Sequence, residues 1–178
     1  MALTATVYNF EIELADADRE VYESLELRAA RHPSESEEYF VTRVLAYVLE
    51  VTEGIAFSRG ISDPDEPAIT VRDLTGAITS WIEVGAPDAA RLHKAAKAAS
   101  RVAVYTHKDP QQLRRNLAGE KIHRAESIEL YAVDRGLVRD LASRLERRMA
   151  FSMSVAEQTV YLSIDTVTLS GAIARVRL

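Results

Sequence analysis

The sequence has 178 residues, 47% of them hydrophobic and 28% charged, which is the composition of a globular protein rather than a disordered or fibrous one. It has no cysteine, which excludes disulfides and thiolate metal sites, and no apolar run of the length that a membrane span needs, so we expect a cytoplasmic protein. The net charge of −5 argues against a broadly polyanion-binding surface, so nucleic acid would have to bind at a local basic patch.

The N-terminal part predicts a hairpin followed by a long helix. Thr4 to Leu14 and Val21 to Ala29 alternate apolar and polar residues on either side of a short polar turn, which indicates two antiparallel strands. Ser34 and Glu37 then form a capping-box pattern ahead of an apolar stripe at helical spacing. We expect this helix to end at Gly54.

The middle and the end of the chain predict further strands and helices. A strand at 55–58 and a turn-rich segment at 62–67 precede a second hairpin, 68–72 with 77–84. Beyond it, the pattern alternates helix and strand, with helices from Gly85 to about Arg101, at 110–119 and at 134–148, and strands at 102–106 and 127–133. This order implies parallel strands with right-handed crossovers. Three strand-like segments follow at 150–155, 159–164 and 167–178.

These elements predict a single α/β domain over residues 1–178. Its centre is a mixed β-sheet flanked by helices, and the N- and C-terminal segments add further antiparallel strands.

A carboxylate in an apolar strand is the first candidate for a functional site. Glu83 lies in a strand whose neighbours are apolar on both faces, where an unpaired charge costs several kcal/mol, so it needs a cation, a metal or hydrogen-bond donors. A turn centred on Leu74 to Gly76 places Glu83 opposite residues 66–68, next to Asp65 and Glu66. Converging carboxylates suit a hard cation such as Mg²⁺. The alternative is that Asp65 and Glu66 are solvated turn residues.

Cations and a further carboxylate lie on the neighbouring helices. Arg91 and Lys94 follow the start of the helix after Gly85 and have the length to reach back to Glu83, where they would balance the carboxylates, hold a phosphate or activate water. A solvated charged face is the alternative. On the long helix, Glu38 precedes the apolar stripe by one turn and is expected to point towards the sheet, whereas the capping box uses Glu37.

Several strings, in this order, resemble the YaeQ family of small bacterial proteins. They are Met1-Ala2-Leu3, Arg31-His32-Pro33-Ser34-Glu35, Arg43 with Leu45-Ala46, Phe57-Ser58-Arg59-Gly60, Asp65-Glu66-Pro67 and Trp81-Ile82-Glu83-Val84-Gly85, followed by Pro87-Asp88, Arg91 and Lys94-Ala95. The resemblance is specific from Met1 to about Tyr105 and only general beyond it.

The resemblance implies a fold similar to the PD-(D/E)XK nuclease superfamily, also called restriction-endonuclease-like, with its core at about 34–133. It implies that the acidic positions of that superfamily fall on Asp65 or Glu66 and on Glu83. The superfamily lysine would stand two residues after Glu83, where this sequence has Gly85. Lys94 is the best placed substitute.

Two functions follow as expectations. The first is a magnesium-dependent phosphodiesterase, in which the bound metal lowers the pKa of water. Its site would comprise metal-binding Asp65, Glu66 and Glu83, catalytic Glu38, Glu83 and Lys94, and phosphate-binding Arg91. The second is a noncatalytic nucleic-acid- or protein-binding module that keeps the fold. The clustered carboxylates favour the first function, and the net charge and Gly85 favour the second.

Overall fold

The computed structural model describes residues 4–59 and 65–178. The strands in these residues are β1 Thr6–Asp16, β2 Val21–Arg31, β3 Ile55–Phe57, β4 Ile69–Arg72, β5 Ile78–Val84, β6 Arg101–Thr106, β7 Glu129–Val133, β8 Arg148–Ala156, β9 Thr159–Ile164 and β10 Val167–Val176. The helices are α1 Glu37–Leu49, α2 Ala89–Ala98, α3 Pro110–Leu117 and α4 Arg135–Ala142, with a one-turn 3₁₀ helix at Ala125–Ser127. This is a mixed α/β fold. None of the described helices is long and apolar enough to cross a membrane.

The described residues form two compact units, each with its own strands. Residues 4–41 and 133–174 form the first unit, and residues 42–132 and 175–178 form the second. Strands follow the order β2-β1-β8-β9-β10 in the first unit, which we call sheet A, and β7-β6-β5-β4-β3 in the second, which we call sheet B.

The N-terminal hairpin is confirmed, but its partner strand runs in an unexpected direction. β1 and β2 pair antiparallel from Thr6 opposite Arg31 to Asp16 opposite Val21. On its other side β1 pairs parallel with β8, from Asn9 opposite Arg148. The expectation that the terminal segments add only antiparallel strands is therefore wrong at this pair. A parallel pair needs a long connection, which the chain between β1 and β8 supplies.

The long helix is present, but the capping residue is not the predicted one. α1 begins at Glu37, and the backbone N–H of Tyr39 donates to the Ser36 hydroxyl at 3.0 Å. The capping box of Ser34 and Glu37 is wrong because residues 32–35 form a separate turn. In this turn the N–H of Glu35 donates to the His32 carbonyl at 2.9 Å, and the Glu35 carboxylate accepts from the His32 N–H at 2.7 Å.

The second hairpin has the predicted register. Ile69 lies opposite Ile82 and Thr70 opposite Trp81, which continues the pairing towards Glu83. β5, β6 and β7 are parallel neighbours, as the alternating order of helices and strands predicts. The predicted turn at 62–67 lies partly outside the described residues.

Two helices cover one face of sheet B. The crossovers from β5 to β6 and from β6 to β7 move along the sheet in the same direction, so right-handed connections place α2 and α3 on one face. Side chains of both helices share a buried cluster with the strands, which includes Trp81, Leu92, Ala95, Val102, Val104, Leu113, Leu117 and Leu130.

Two C-terminal elements are shorter than expected. α4 ends at Ala142 rather than near residue 148, because β8 already begins at Arg148 and residues 143–147 form the connection. The strand expected at 127–133 begins at Glu129, after the 3₁₀ turn.

Candidate functional site

Glu83 is buried on the helix-covered face of sheet B. It lies near the C-terminal end of β5, is 3% exposed and shares its face with Trp81. The indole Nε1 of Trp81 donates to Glu83 Oε1 at 2.6 Å, and the guanidinium Nε of Arg91 donates to the same oxygen at 2.7 Å. The cation and donors that a buried carboxylate requires are therefore supplied by its own strand and by α2.

Burial dominates the electrostatics of Glu83. Desolvation raises the pKa of the Glu83 carboxyl above its ordinary value, and the Trp81 hydrogen bond and the charge of Arg91 offset only part of this effect. Asp88, which caps α2 by accepting from the Arg91 N–H at 2.8 Å, adds a nearby negative charge that raises the pKa slightly further. The Glu83 carboxylate is thus shielded from water, and its charge is only partly compensated by Trp81 and Arg91.

α2 also brings the two acidic turn residues to this end of the hairpin. A second guanidinium nitrogen of Arg91 donates to the Glu66 carbonyl at 2.7 Å, and the Lys94 ammonium contacts the Asp65 carboxylate. The Glu66 carboxylate accepts from the Arg59 N–H at 3.5 Å. Asp65 is 73% exposed in its side chain. Lys94 therefore reaches the acidic segment, as expected, with Asp65 as its contact.

Gly85 occupies the position at which the resemblance leads one to expect a lysine. Its backbone φ is 92°, a conformation that glycine adopts freely and that side-chain-bearing residues adopt at a cost. Its N–H donates to the Tyr105 carbonyl at 2.9 Å, which fixes the chain as it leaves β5. The backbone geometry therefore favours glycine at this position.

Glu38 lies in the first turn of α1 and is exposed. The apolar stripe of α1 begins two residues later at Phe40, which is fully buried. The expectation that Glu38 points towards the sheet stays a prediction, and so does its catalytic role.

The carboxylates of Glu83, Asp65 and Glu66 each contact a cation or a hydrogen-bond donor. Magnesium needs several oxygen ligands in near-octahedral geometry. One oxygen of Glu83 already accepts two hydrogen bonds, and Asp65 is paired with Lys94. Within residues 4–59 and 65–178, no three His, Asp or Glu side chains are grouped so that they could hold a metal ion. The metal-binding role of Asp65, Glu66 and Glu83 stays a prediction.

A second polar cluster lies on the opposite face of sheet B, and sequence reasoning missed it. We call it the Arg101 cluster. Its members are Glu50, Arg101, Tyr105, Glu129 and Tyr131. Arg101 donates from Nη1 to Glu50 at 2.7 Å and from Nε to Glu129 at 2.6 Å. The hydroxyls of Tyr105 and Tyr131 donate to the same two carboxylates at 2.6 and 2.7 Å.

The pKa directions in the Arg101 cluster follow from burial and pairing. Burial raises the pKa of Tyr105 well above its ordinary value, and the charge of Glu50 raises it further. Burial also raises the pKa of Glu129, but hydrogen bonds from Arg101 and Tyr131 lower it overall. The sequence signal was the alternation of polar side chains in two strands, and it becomes visible only once Tyr105 is known to lie opposite Tyr131.

The outer surface of α2, α3 and the following loop is rich in cations. Residues 89–124 contain nine Lys and Arg but only two Asp and Glu, although the whole chain carries −5. Arg124 lies within this segment, and its guanidinium donates to the carbonyls of Ala96 and Ala99 at the end of α2. We call the exposed cations of this segment other than Arg124 the basic layer. They are Lys94, Lys97, Lys108, Arg114, Arg115 and Lys121.

The fold and these clusters define a mixed α/β protein. A buried carboxylate, Glu83, is paired with Arg91 of α2, and the exposed side of α2 and α3 is basic. The chain belongs to the YaeQ family, since the family model described as YaeQ protein matches residues 1–172.

Relatives and solved structures agree with this assignment. The chain is 32% identical over 164 residues to an uncharacterized protein YaeQ of Salmonella typhi, covering 92% of this chain and 91% of that protein. It is 31% identical over 166 residues to the one of Escherichia coli K12, with 93% and 92% covered. The crystal structure of YaeQ protein from Pseudomonas syringae has a TM-score of 0.86 at 32% identity, over 96% of this chain and 95% of that one. The structure from Xanthomonas axonopodis pv. citri has a TM-score of 0.87 at 29% identity, over 97% and 98%.

Proposed function

We propose that this protein is a noncatalytic nucleic-acid-binding module, and that the basic layer is the surface that contacts the phosphates. The supporting observation is the separation of charge along the chain. Residues 89–124 carry an excess of seven positive charges, while the remainder carries an excess of twelve negative charges. Two of the nine cations in this segment are half-buried and paired with carboxylates, Arg91 with Glu83 and Arg101 with Glu50 and Glu129, and the other seven are exposed. Cations gathered on one layer attract a polyanion locally even when the net charge is negative.

The positions of these cations also favour phosphate contacts. Lys97, Lys108 and Lys121 are exposed. Arg114 and Arg115 lie on the solvent side of α3. Arg114 donates to Gln111 at 3.2 Å, and Arg115 donates to Gln112 at 2.8 Å and lies 4.0 Å from Asp109. A guanidinium held by a neutral amide, as in Arg114, keeps its full charge for a phosphate.

The surroundings of Glu83 favour binding over catalysis. Its carboxylate is neutralised by Arg91 and hydrogen-bonded to Trp81, and Gly85 stands in a backbone conformation that disfavours lysine. We propose that this pair serves to fix α2 against the hairpin, which in turn positions the cations of α2. Lys94 then belongs to the binding surface.

The proposal includes a relationship to the PD-(D/E)XK superfamily. The order α1, β3, β4, β5, α2, β6 is the helix, hairpin with a third strand, crossover helix and strand that the resemblance implies. We also propose the cytoplasm as the compartment, since a nucleic-acid partner is present there.

Fluorescence anisotropy with labelled duplex DNA and single-stranded RNA tests the binding surface. In the test variant four cations of the basic layer become glutamine: Lys97, Arg114, Arg115 and Lys121. The matched control changes four exposed arginines in and after α4, with the same loss of charge: Arg135, Arg139, Arg144 and Arg147.

We expect the test variant to lose at least about tenfold in affinity and to reduce the slope of log K against log salt by about 3 to 4, whereas the control keeps both near the wild-type values. A wild type that binds neither nucleic acid would contradict the proposal, and so would equal losses in the two variants.

A cleavage assay tests the noncatalytic part separately. Wild-type protein is incubated with the same nucleic acids in Mg²⁺, and Mg²⁺ binding is followed by calorimetry beside Glu83→Gln. The proposal predicts no cleavage and no heat that depends on Glu83. Magnesium-dependent cleavage that Glu83→Gln abolishes would overturn it and establish the phosphodiesterase instead.

A further inference from the structure

β2 is the edge strand of sheet A, and every second residue along it has backbone N–H and C=O groups that point outward in the plane of the sheet. The N–H of Asn9 donates to the Arg147 carbonyl at 2.8 Å and the N–H of Ala17 to the Val155 carbonyl at 2.8 Å, so odd-numbered residues of β1 bond towards β8. Backbone groups alternate in direction along a strand, so even-numbered residues of β1 bond towards β2. In this register Phe10 lies opposite Leu27, and the odd-numbered residues of β2 face β1.

The even-numbered residues of β2 therefore present their N–H and C=O groups at the outer edge. They include Tyr22, Ser24, Glu26 and Arg28. In the described residues β2 pairs with β1 alone and stands at the end of the strand order. The pairing with β1 is regular over all eleven residues, and the segment contains no proline. A long, regular edge of this kind is a template for another strand.

We propose that two copies of this chain pair antiparallel through Tyr22 to Arg28 of β2, with a twofold axis at Leu25, so that the two A sheets become one. This register places each Tyr22 opposite Arg28 of the second copy and each Ser24 opposite Glu26. An aromatic ring beside a guanidinium is a favourable cross-strand pair, and Ser24, whose hydroxyl donates to Glu13 at 2.7 Å, places no like charge opposite Glu26. The interaction also covers Tyr22, which is 66% exposed in the single chain.

Neighbouring registers are less favourable. A shift of one residue between the two strands would turn the buried face of one sheet to the exposed side of the other, so only every second register is possible. An axis at Glu26 sets the two Glu26 carboxylates opposite each other, and like charges repel there. An axis at Leu27 requires Ala30, whose backbone already has another partner. The axis at Leu25 avoids both and places the half-buried Leu25 beside its own copy.

Proline substitution at the edge tests the pairing. Light scattering and sedimentation across a concentration series measure the mass of the wild type, Ser24→Pro and Ser24→Ala. The Ser24 N–H points away from β1, so proline removes a donor from the edge while leaving the β1–β2 hydrogen bonds in place. Circular dichroism checks that each variant folds.

We expect the wild type to reach twice the chain mass of 19.8 kDa. Ser24→Pro removes one hydrogen bond on each copy and should weaken the dimer at least about tenfold, whereas Ser24→Ala keeps the N–H and should change it less than about threefold. Should Ser24→Pro fail to fold, Arg28→Glu replaces it, because this change removes the guanidinium opposite Tyr22 of the second copy and adds negative charge to an edge that already carries Glu26. A monomeric wild type at every concentration, or an unchanged dimer in the folded edge variant, would overturn the proposal.

A cysteine scan tests the register, since the chain has no cysteine of its own. The residue on the twofold axis faces its own copy, close enough for a disulfide. Under mild oxidation Leu25→Cys should therefore form a covalent dimer in non-reducing gels. Leu27→Cys should not, because it faces Glu23 of the second copy. Cross-linking of Leu27→Cys without Leu25→Cys would refute this register.

Discussion

Replacing Arg91 by alanine tests whether one guanidinium compensates the buried charge of Glu83. The change removes the Arg91 contact at 2.7 Å and leaves Trp81 as the donor that the structure describes on that oxygen. It also removes the donor to the Glu66 carbonyl. Because Glu83 is 3% exposed, bulk water cannot readily take the place of the cation.

The expected loss follows from these contacts. Removing one partner of a buried pair typically costs 3–5 kcal/mol, and Arg91 is 25% exposed, so the lower end applies and we expect about 3 kcal/mol at pH 8. The exposed pair of Lys94 and Asp65 provides the matched control. Lys94→Ala should cost at most about 0.5 kcal/mol.

The loss should depend on pH in a defined direction. Burial already raises the pKa of Glu83 in the folded state, and removing Arg91 raises it further. A carboxyl whose pKa is higher in the folded than in the unfolded state favours folding when protonated, and this contribution is lost as pH rises through the folded-state value. The deficit of Arg91→Ala should therefore be smallest near pH 4.5 and grow towards pH 8.

Urea unfolding of the wild type, Arg91→Ala, Glu83→Gln and the double variant, measured from pH 4.5 to 8, provides the assay. Glu83→Gln has no buried charge, so the deficit of the double variant relative to Glu83→Gln should not vary with pH. A deficit of Arg91→Ala below about 1 kcal/mol, or one that is constant across this range, would refute the reasoning.

Three further outcomes are expected. Gly54→Ala should lower the free energy of unfolding by more than about 2 kcal/mol in urea, since Gly54 has φ +84° and a Cβ would lie 2.0 Å from a carbonyl oxygen of β4; a loss below about 0.5 kcal/mol would contradict this. Gly85→Lys should lower the melting temperature, because φ is 92°, and should bring no magnesium-dependent cleavage; new cleavage in a gel assay would show that the lysine position is usable. Arg101→Met removes a donor to Glu50 and Glu129 and should cost about 2 kcal/mol at pH 7. Pairing lowers the pKa of Glu129 in the folded state, so its charge stabilises the fold above about pH 4.5 and this contribution is lost as the pH falls further. The cost of Arg101→Met should therefore shrink below pH 4.5, and an unchanged cost in urea at about pH 4 would contradict this.

The sequence predicts those parts of the fold that local patterns determine. A short turn between two alternating strands sets the register of β4 and β5, so the position of Glu83 near residues 66–68 could be worked out from numbering alone. The parallel order of β5, β6 and β7 follows from alternating elements in the same way. The reach of Lys94 to the acidic segment follows from helix geometry.

Features that depend on distant residues could not be predicted in this way. The parallel pairing of β1 with β8 joins segments far apart in the chain, and alternation alone gives a strand no direction. The Arg101 cluster combines residues from three segments of the chain, so the residue spacing within any one segment does not predict it. At the site, the apolar pattern of β5 does not reveal that the indole N–H of Trp81 donates to Glu83.

The pairing of β1 with β8 has a consequence for synthesis on the ribosome. β1 is among the first segments to emerge, but its parallel neighbour begins at Arg148, so the growing chain carries a hairpin with an unsatisfied inner edge through most of translation. Sheet B, by contrast, lies almost wholly within residues 42–132, and its strands can assemble while the C-terminal segment is still being made. We therefore expect the second unit to fold first, and the nascent hairpin to be the segment that a chaperone protects.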